Sequence, residues 1–197
     1  MAETVTFTRM ADGTREDYQL LSRYEEEYAR GLPGRLLEAL AKLAHSIGGY
    51  QVTRLEHSLQ GATRALRDGR DEDYVVAVLL HDIGDDLAPH SHSELAAAIL
   101  RPYVSEKLYW IVKHHGVFQM VYYAHHLGGD RNAREHFRDH LWYDDAVEFC
   151  ELYDQNCFDP DYDSLPLDHF APLLARVFGR PARFNEAGQH AGGGGHD

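Results

Sequence analysis

The 197-residue sequence predicts an all-α domain, on three observations. Apolar residues recur at helical spacing along most of the chain. No stretch alternates apolar and polar residues between hairpin signals. Gly48-Gly49, Arg101-Pro102 and Gly128-Gly129 punctuate the periodic stretches. The length fits one domain, expected over 1–184 with a functional core at about 49–154. Residues 185–197 are glycine-rich with nothing to bury, and are expected to form a flexible tail.

Taken in order, Leu36, Leu37, Leu40 and Leu43 form an apolar stripe that Gly48-Gly49 closes, since glycine tolerates the left-handed conformation after a helix. A second helix is expected from about Thr53 to Leu66. The third begins near Asp71, where Asp71, Glu72 and Asp73 suit the positive end of the helix dipole. Its run Val75, Val76, Val78, Leu79, Leu80 is apolar on nearly all sides, so it belongs in the middle of a bundle. His92–Leu100 and Val104–His114 read as two helices split by Pro102, which cannot sit comfortably in a helix interior. An aromatic and charged connection, Phe118 to His140, precedes a helix from about Trp142 to Asn156 and a last one from Leu167 to Val177.

Lys and Arg number 19 against 32 Asp and Glu, a net charge of −13 that argues against a nucleic-acid or anionic-membrane partner. The first residues lack a basic-then-apolar leader pattern, and no run of about 18 apolar residues occurs, so a cytoplasmic protein is expected. Cys150 and Cys157 stand seven apart in one predicted helix, which suits neither a zinc knuckle nor a disulfide framework. Histidine is the outlier. Nine of the 14 lie between His81 and His140, far more than packing or solubility requires, and this density points to metal chemistry.

The pair His81-Asp82 closes the most apolar helix, and a polar pair there is costly unless partnered. Neighbouring helical side chains diverge by roughly 100°, so His81 can serve one ion while Asp82, with two oxygens, bridges to another. His57 lies inside the preceding helix, His92 begins the following one, His114 ends the next, and Asp154 sits near the end of the long helix. His90 and His115 are neighbouring alternatives to His92 and His114.

This ordered set, His57, His81-Asp82, His92, His114 and Asp154, resembles the HD-domain superfamily, a helical bundle that holds one or two metal ions between its helices. The resemblance implies that His57, His81, Asp82 and Asp154 hold one metal and that Asp82, His92 and His114 hold the second, with Asp82 the catalytic bridge. Glu56, Asp85 and His115 would then stand behind the ligands. Imidazole and carboxylate without thiolate suit iron or manganese.

Most of the superfamily are phosphohydrolases of nucleotides or phosphomonoesters, using Mn, Co or another divalent ion. A smaller branch, with myo-inositol oxygenase and the hydroxyphosphonate oxygenases, uses an Fe(II)/Fe(III) pair with O2. The stretch Gly49-Tyr50-Gln51-Val52-Thr53-Arg54-Leu55-Glu56-His57 is similar to that oxygenase branch, with Tyr50 in place of a glutamate that recognises a primary ammonium. An aromatic ring there suits a trimethylammonium group. Asp85-Asp86 replaces a lysine common in the hydrolases after His-Asp-Ile-Gly, a further vote for the oxygenases.

The resemblance therefore implies a diiron oxygenase that cleaves a small hydroxylated substrate with O2. The nearest analogue is a 1-hydroxy-2-(trimethylammonio)ethylphosphonate-like compound, with C–P cleavage releasing phosphate. Phe118 to Tyr123 would form an aromatic wall, with Gln119 and Tyr123 touching substrate. The phosphonate oxygenases carry a lysine four residues beyond the last metal-binding histidine. Counted from His114 that position is Phe118, so Arg131 and Arg134 become the expected holders of an anion.

Overall fold

A computed structural model describes residues 3–184, and the tail expected at 185–197 lies outside the described residues. Among the described residues the fold has eight α-helices: α1 (Arg15–Arg30), α2 (Leu32–Lys42), α3 (Arg54–Arg67), α4 (Glu72–Leu80), α5 (His92–Leu100), α6 (Glu106–Tyr123), α7 (Tyr143–Tyr153) and α8 (Leu167–Phe178). Short 3-10 turns join some of them, and no β-strand occurs among the described residues. No helix among them is long and apolar enough to cross a membrane.

The centre of the bundle is α4. Every residue from Val75 to Leu80 is fully buried, because the run carries no polar face and must be covered on all sides. Helices α3, α6 and α8 cover it, α5 packs on α6, α6 on α7, and α2 on α8. Each buried Val or Leu contributes roughly 1.5–3 kcal/mol, and this apolar mass offsets the cost of the polar pair at the helix end.

Local sequence sets the helix starts. Thr53 and Glu56 form a reciprocal capping box on α3, Asp71 caps the Tyr74 amide at 2.8 Å, and Ser105 accepts from the Leu108 amide. The capping box explains Glu56, which is engaged at the helix end by the Thr53 amide at 2.6 Å and does not stand behind a metal donor as expected. Gly49 has φ +108°, the left-handed region expected of it after the α2 segment.

Two elements differ from expectation. Helix α1 has no counterpart in the apolar pattern, because it buries only Asp17 and Leu20; its signal is the Thr14 and Asp17 capping box. Helix α6 runs nine residues past His114, through Gly116 to Tyr123, where an irregular connection was expected. Tertiary packing overrides glycine's low helix propensity there: a Cβ at Gly116 would stand 2.9 Å from the Ser93 hydroxyl, so only glycine lets α6 lie this close to α5. Gly61 does the same for α3, where a Cβ would meet the Tyr153 carbonyl at 2.4 Å. Cys157 lies beyond α7 rather than in one helix with Cys150, and both thiols are buried and unpaired.

Candidate metal centre

Five stretches of chain aim side chains at one buried point. Arg54 and His57 share a face of α3 one turn apart, His81 and Asp82 follow the last residue of α4, and His92 opens α5. His115 lies in the middle of α6, and Asp154 ends α7. His57, His81, Asp82, His115 and Asp154 are all at most 3% exposed.

Two donor groups result. In the first, His57, His81, Asp82 and Asp154 each offer one atom within 4.8 Å of the others, and in the second Asp82, His92 and His115 do so. Asp82 belongs to both through different oxygens. Its Oδ2 stands 3.2 Å from His57 Nε2 and 3.0 Å from His81 Nε2, whereas its Oδ1 stands 3.4 Å from His92 Nε2 and 3.3 Å from His115 Nε2.

The protonation pattern fits a cation. Nδ1 of His57 donates to the Cys157 carbonyl at 3.1 Å, Nδ1 of His81 to Val78 at 2.7 Å, and Nδ1 of His115 to Val112 at 2.7 Å. A carbonyl only accepts, so each Nδ1 carries the hydrogen and each Nε2 is left for a proton or a metal. His57 Nε2 and His81 Nε2 face one another at 3.2 Å, a contact that two lone pairs do not make without a positive charge between them, and His92 Nε2 lies 3.3 Å from His115 Nε2. Asp154 Oδ2 is buried with no hydrogen-bond partner among the described residues. Imidazole and carboxylate donors without thiolate suit a metal ion at each group.

The electrostatics agree. Burial opposes the charge on His57 and His81, but Asp82 and Asp154 outweigh it and hold both rings above the usual histidine value, His81 well above. Burial likewise works against the carboxylates, yet the His81 and Arg54 charges keep Asp82 well below its usual range, and His81 and His57 do so for Asp154.

The centre opens into a cavity of about 340 Å³ lined by Tyr50, Arg54, Gln119, Tyr122, Tyr123 and Phe158, with Asp82, His92, His115 and Asp154 at its metal-facing end. Phe158 stacks on the His57 ring at 4.4 Å and on Tyr50 at 5.0 Å, walling off one side of the donors. Arg54 pairs with Asp82 through Nη2 and with Asp85 through Nε at 2.7 Å. Asp85 thus supports the site through Arg54, and its other oxygen lies 3.7 Å from His92 Nδ1.

Of the residues expected from sequence, His57, His81, Asp82, His92 and Asp154 converge as described, and Tyr50, Gln119 and Tyr123 line the cavity. His114 does not join them. Its Nδ1 donates to the Trp110 carbonyl at 2.8 Å and its ring packs on Trp110 and Phe137, while His115 faces Asp82. This one-residue shift moves the position four beyond from Phe118, which is buried against Trp110, Phe137 and Tyr143, to Gln119 in the cavity wall. His90, the alternative to His92, is exposed.

Neither Arg131 nor Arg134 lines the cavity; Arg134 lies 3.7 Å from Glu135. The lining cation is Arg54, which sequence reasoning missed. The only local hint was its place one turn before His57. Sequence reasoning also missed Phe158, whose place depends on the chain folding back after α7.

Residues 54–143 match the family model described as HD domain. A (1-hydroxy-2-(trimethylamino)ethyl)phosphonate dioxygenase, glycine-betaine-forming, from Leisingera caerulea is 36% identical over 78 residues, covering 34% of this chain and 40% of the relative. The matched stretch therefore spans less than half of that relative.

Proposed function

Since the chain carries an HD domain, we propose that it is a diiron oxygenase that cleaves a small hydroxylated substrate with O2. The observation that carries this reading is the pair of donor groups, free of thiolate and joined through the two oxygens of Asp82, at the end of an aromatic-walled cavity. The partial similarity to a dioxygenase named for a trimethylammonium phosphonate supports it.

His57, His81, Asp82 and Asp154 would hold one iron, and Asp82, His92 and His115 the other. The pair would supply O2 activation and one-electron chemistry that no side chain provides. The chain supplies the rest. The Nδ1 donors of His57, His81 and His115 are fixed on carbonyls, so the three Nε2 atoms keep their aim without rearrangement. Phe158 over His57 keeps water from that side of the site. Tyr50 offers a ring face to a trimethylammonium group, with Phe158 stacked behind it, and Gln119 offers an amide to the substrate from the cavity wall.

The substrate we favour is 1-hydroxy-2-(trimethylammonio)ethylphosphonate or a close relative. Its conversion breaks the C–P bond, places one oxygen atom of O2 on carbon and the other on phosphorus, and gives a carboxylate, phosphate and one proton. Carbon and phosphorus together release four electrons, which reduce O2 fully, so no further reductant enters.

Anaerobic iron loading, partial oxidation and EPR should give a spin-coupled mixed-valent pair, with O2 consumed in step with phosphate released. Phosphate release that persists without oxygen in the Mn(II) or Co(II) protein would overturn this reading in favour of a phosphohydrolase.

A further inference from the structure

The cavity meets its substrate with one guanidinium, and three features define which edge of it is on offer. Nε is taken by Asp85 and one Nη2 hydrogen by Asp82, whereas Nη1 makes no hydrogen bond among the described residues. The rings of Tyr50 and Phe158 stand 5.5 and 6.0 Å from the guanidinium carbon, and the side chain is only 10% exposed. Of five N–H donors, three remain, held in a plane by two carboxylates and flanked by two aromatic faces. Among the described residues, Arg54 is also the only Lys or Arg lining the cavity.

Resting on the oxygenase reading above, we propose that Arg54 is a specificity-determining residue: its Nη1 edge grips the anionic end of the substrate and selects a zwitterion over a cation of the same shape. An anion approaching Asp82 and Asp154 meets like charge, so it needs a fixed positive edge beside the metals. A guanidinium already oriented by Asp82 and Asp85 supplies that edge with little further loss of side-chain entropy. Arginine's fork also matches the paired oxygens of a phosphonate or carboxylate better than a lysine point charge does.

The test compares ligand pairs on Mn(II)-loaded protein without oxygen, so that nothing turns over. Binding of 2-(trimethylammonio)ethylphosphonate and of choline, which lacks the anion, is measured by calorimetry for wild type, Arg54→Met and Arg54→Lys, with bound metal determined for each. Wild type should prefer the phosphonate. Arg54→Met should lose about tenfold or more of its affinity for the phosphonate while choline changes by less than about twofold, with the metal retained. Arg54→Lys should fall between the two.

Equal effects on both probes, no effect on either, or a wild type without preference would overturn the proposal. Should Arg54→Met shed its metal, the same ratio in Arg54→Lys decides. Metal loss in both variants assigns Arg54 to holding Asp82 and ends the proposal. Selective binding with no O2 consumption on any hydroxyphosphonate would sink the oxygenase reading and leave Arg54's role standing.

Discussion

Asp82 is the side chain on which the centre turns, since its Oδ2 faces His57, His81 and Arg54 while its Oδ1 faces His92 and His115. Asp82→Asn keeps the shape and removes the charge, and should lower affinity for both metals by at least about a hundredfold, read as metal content after dialysis. The adjacent histidines make a sharper pair of variants. His115→Ala should lose roughly one of two bound metal ions, whereas His114→Ala should retain both, because its ring serves Trp110 and Phe137. Retention by His115→Ala and loss by His114→Ala would reverse the assignment.

Proton competition follows from the same residues. His57 and His81 are held above the usual histidine value, so without metal this pair holds a proton more tightly than free histidine does, and an entering ion must displace it. Metal affinity should therefore fall as pH is lowered towards and below the free-histidine value of about 6.5, measured by chelator competition; a flat profile would refute it. For the metal-free fold the sign is opposite. The stability from these raised values is fully present below the unfolded value of about 6.5 and is lost as pH rises through the folded ones.

At the scale of the element, α1 depends on its first turn. Asp17 accepts from the amides of Thr6 and Thr14, which bring its carboxyl down to about 2. The stability this gives is present above the unfolded value of about 3.9 and lost as pH falls towards the folded one. The acid limb of wild-type melting should thus be steeper between about pH 4 and 2 than that of Asp17→Asn. Packing between elements is tested at Gly61. Ala there would press on the Tyr153 carbonyl and should cost about 1–3 kcal/mol, a fall in Tm of roughly 2–4 °C per kcal/mol, unless α3 and α7 separate freely.

For the molecule as a whole, the cavity exists because the chain after α7 returns across α3. Gln60 pins that return by donating to the Asp159 carbonyl at 2.8 Å and accepting from its amide at 3.3 Å, and His57 holds the Cys157 carbonyl. Gln60→Ala should raise hydrogen exchange of the Asp159 amide by roughly tenfold or more, in line with about 1 kcal/mol or more for such a pair. Unchanged exchange would mean that the segment is held elsewhere.

The sequence by itself determined the helical class, the central place of α4 and the order of His57, His81, Asp82, His92 and Asp154, because period and capping are local properties written in neighbouring residues. It could not choose between His114 and His115. Adjacent helical residues differ by roughly 100°, and the rotation of α6 is set by how closely Gly116 lets it approach Ser93 on α5. Nor could it read Arg54 or Phe158, since a guanidinium becomes a cavity edge only when Asp82 and Asp85 hold it, and a ring becomes a wall only when α3 receives the chain after α7. Those are contacts between residues far apart in sequence, fixed by packing.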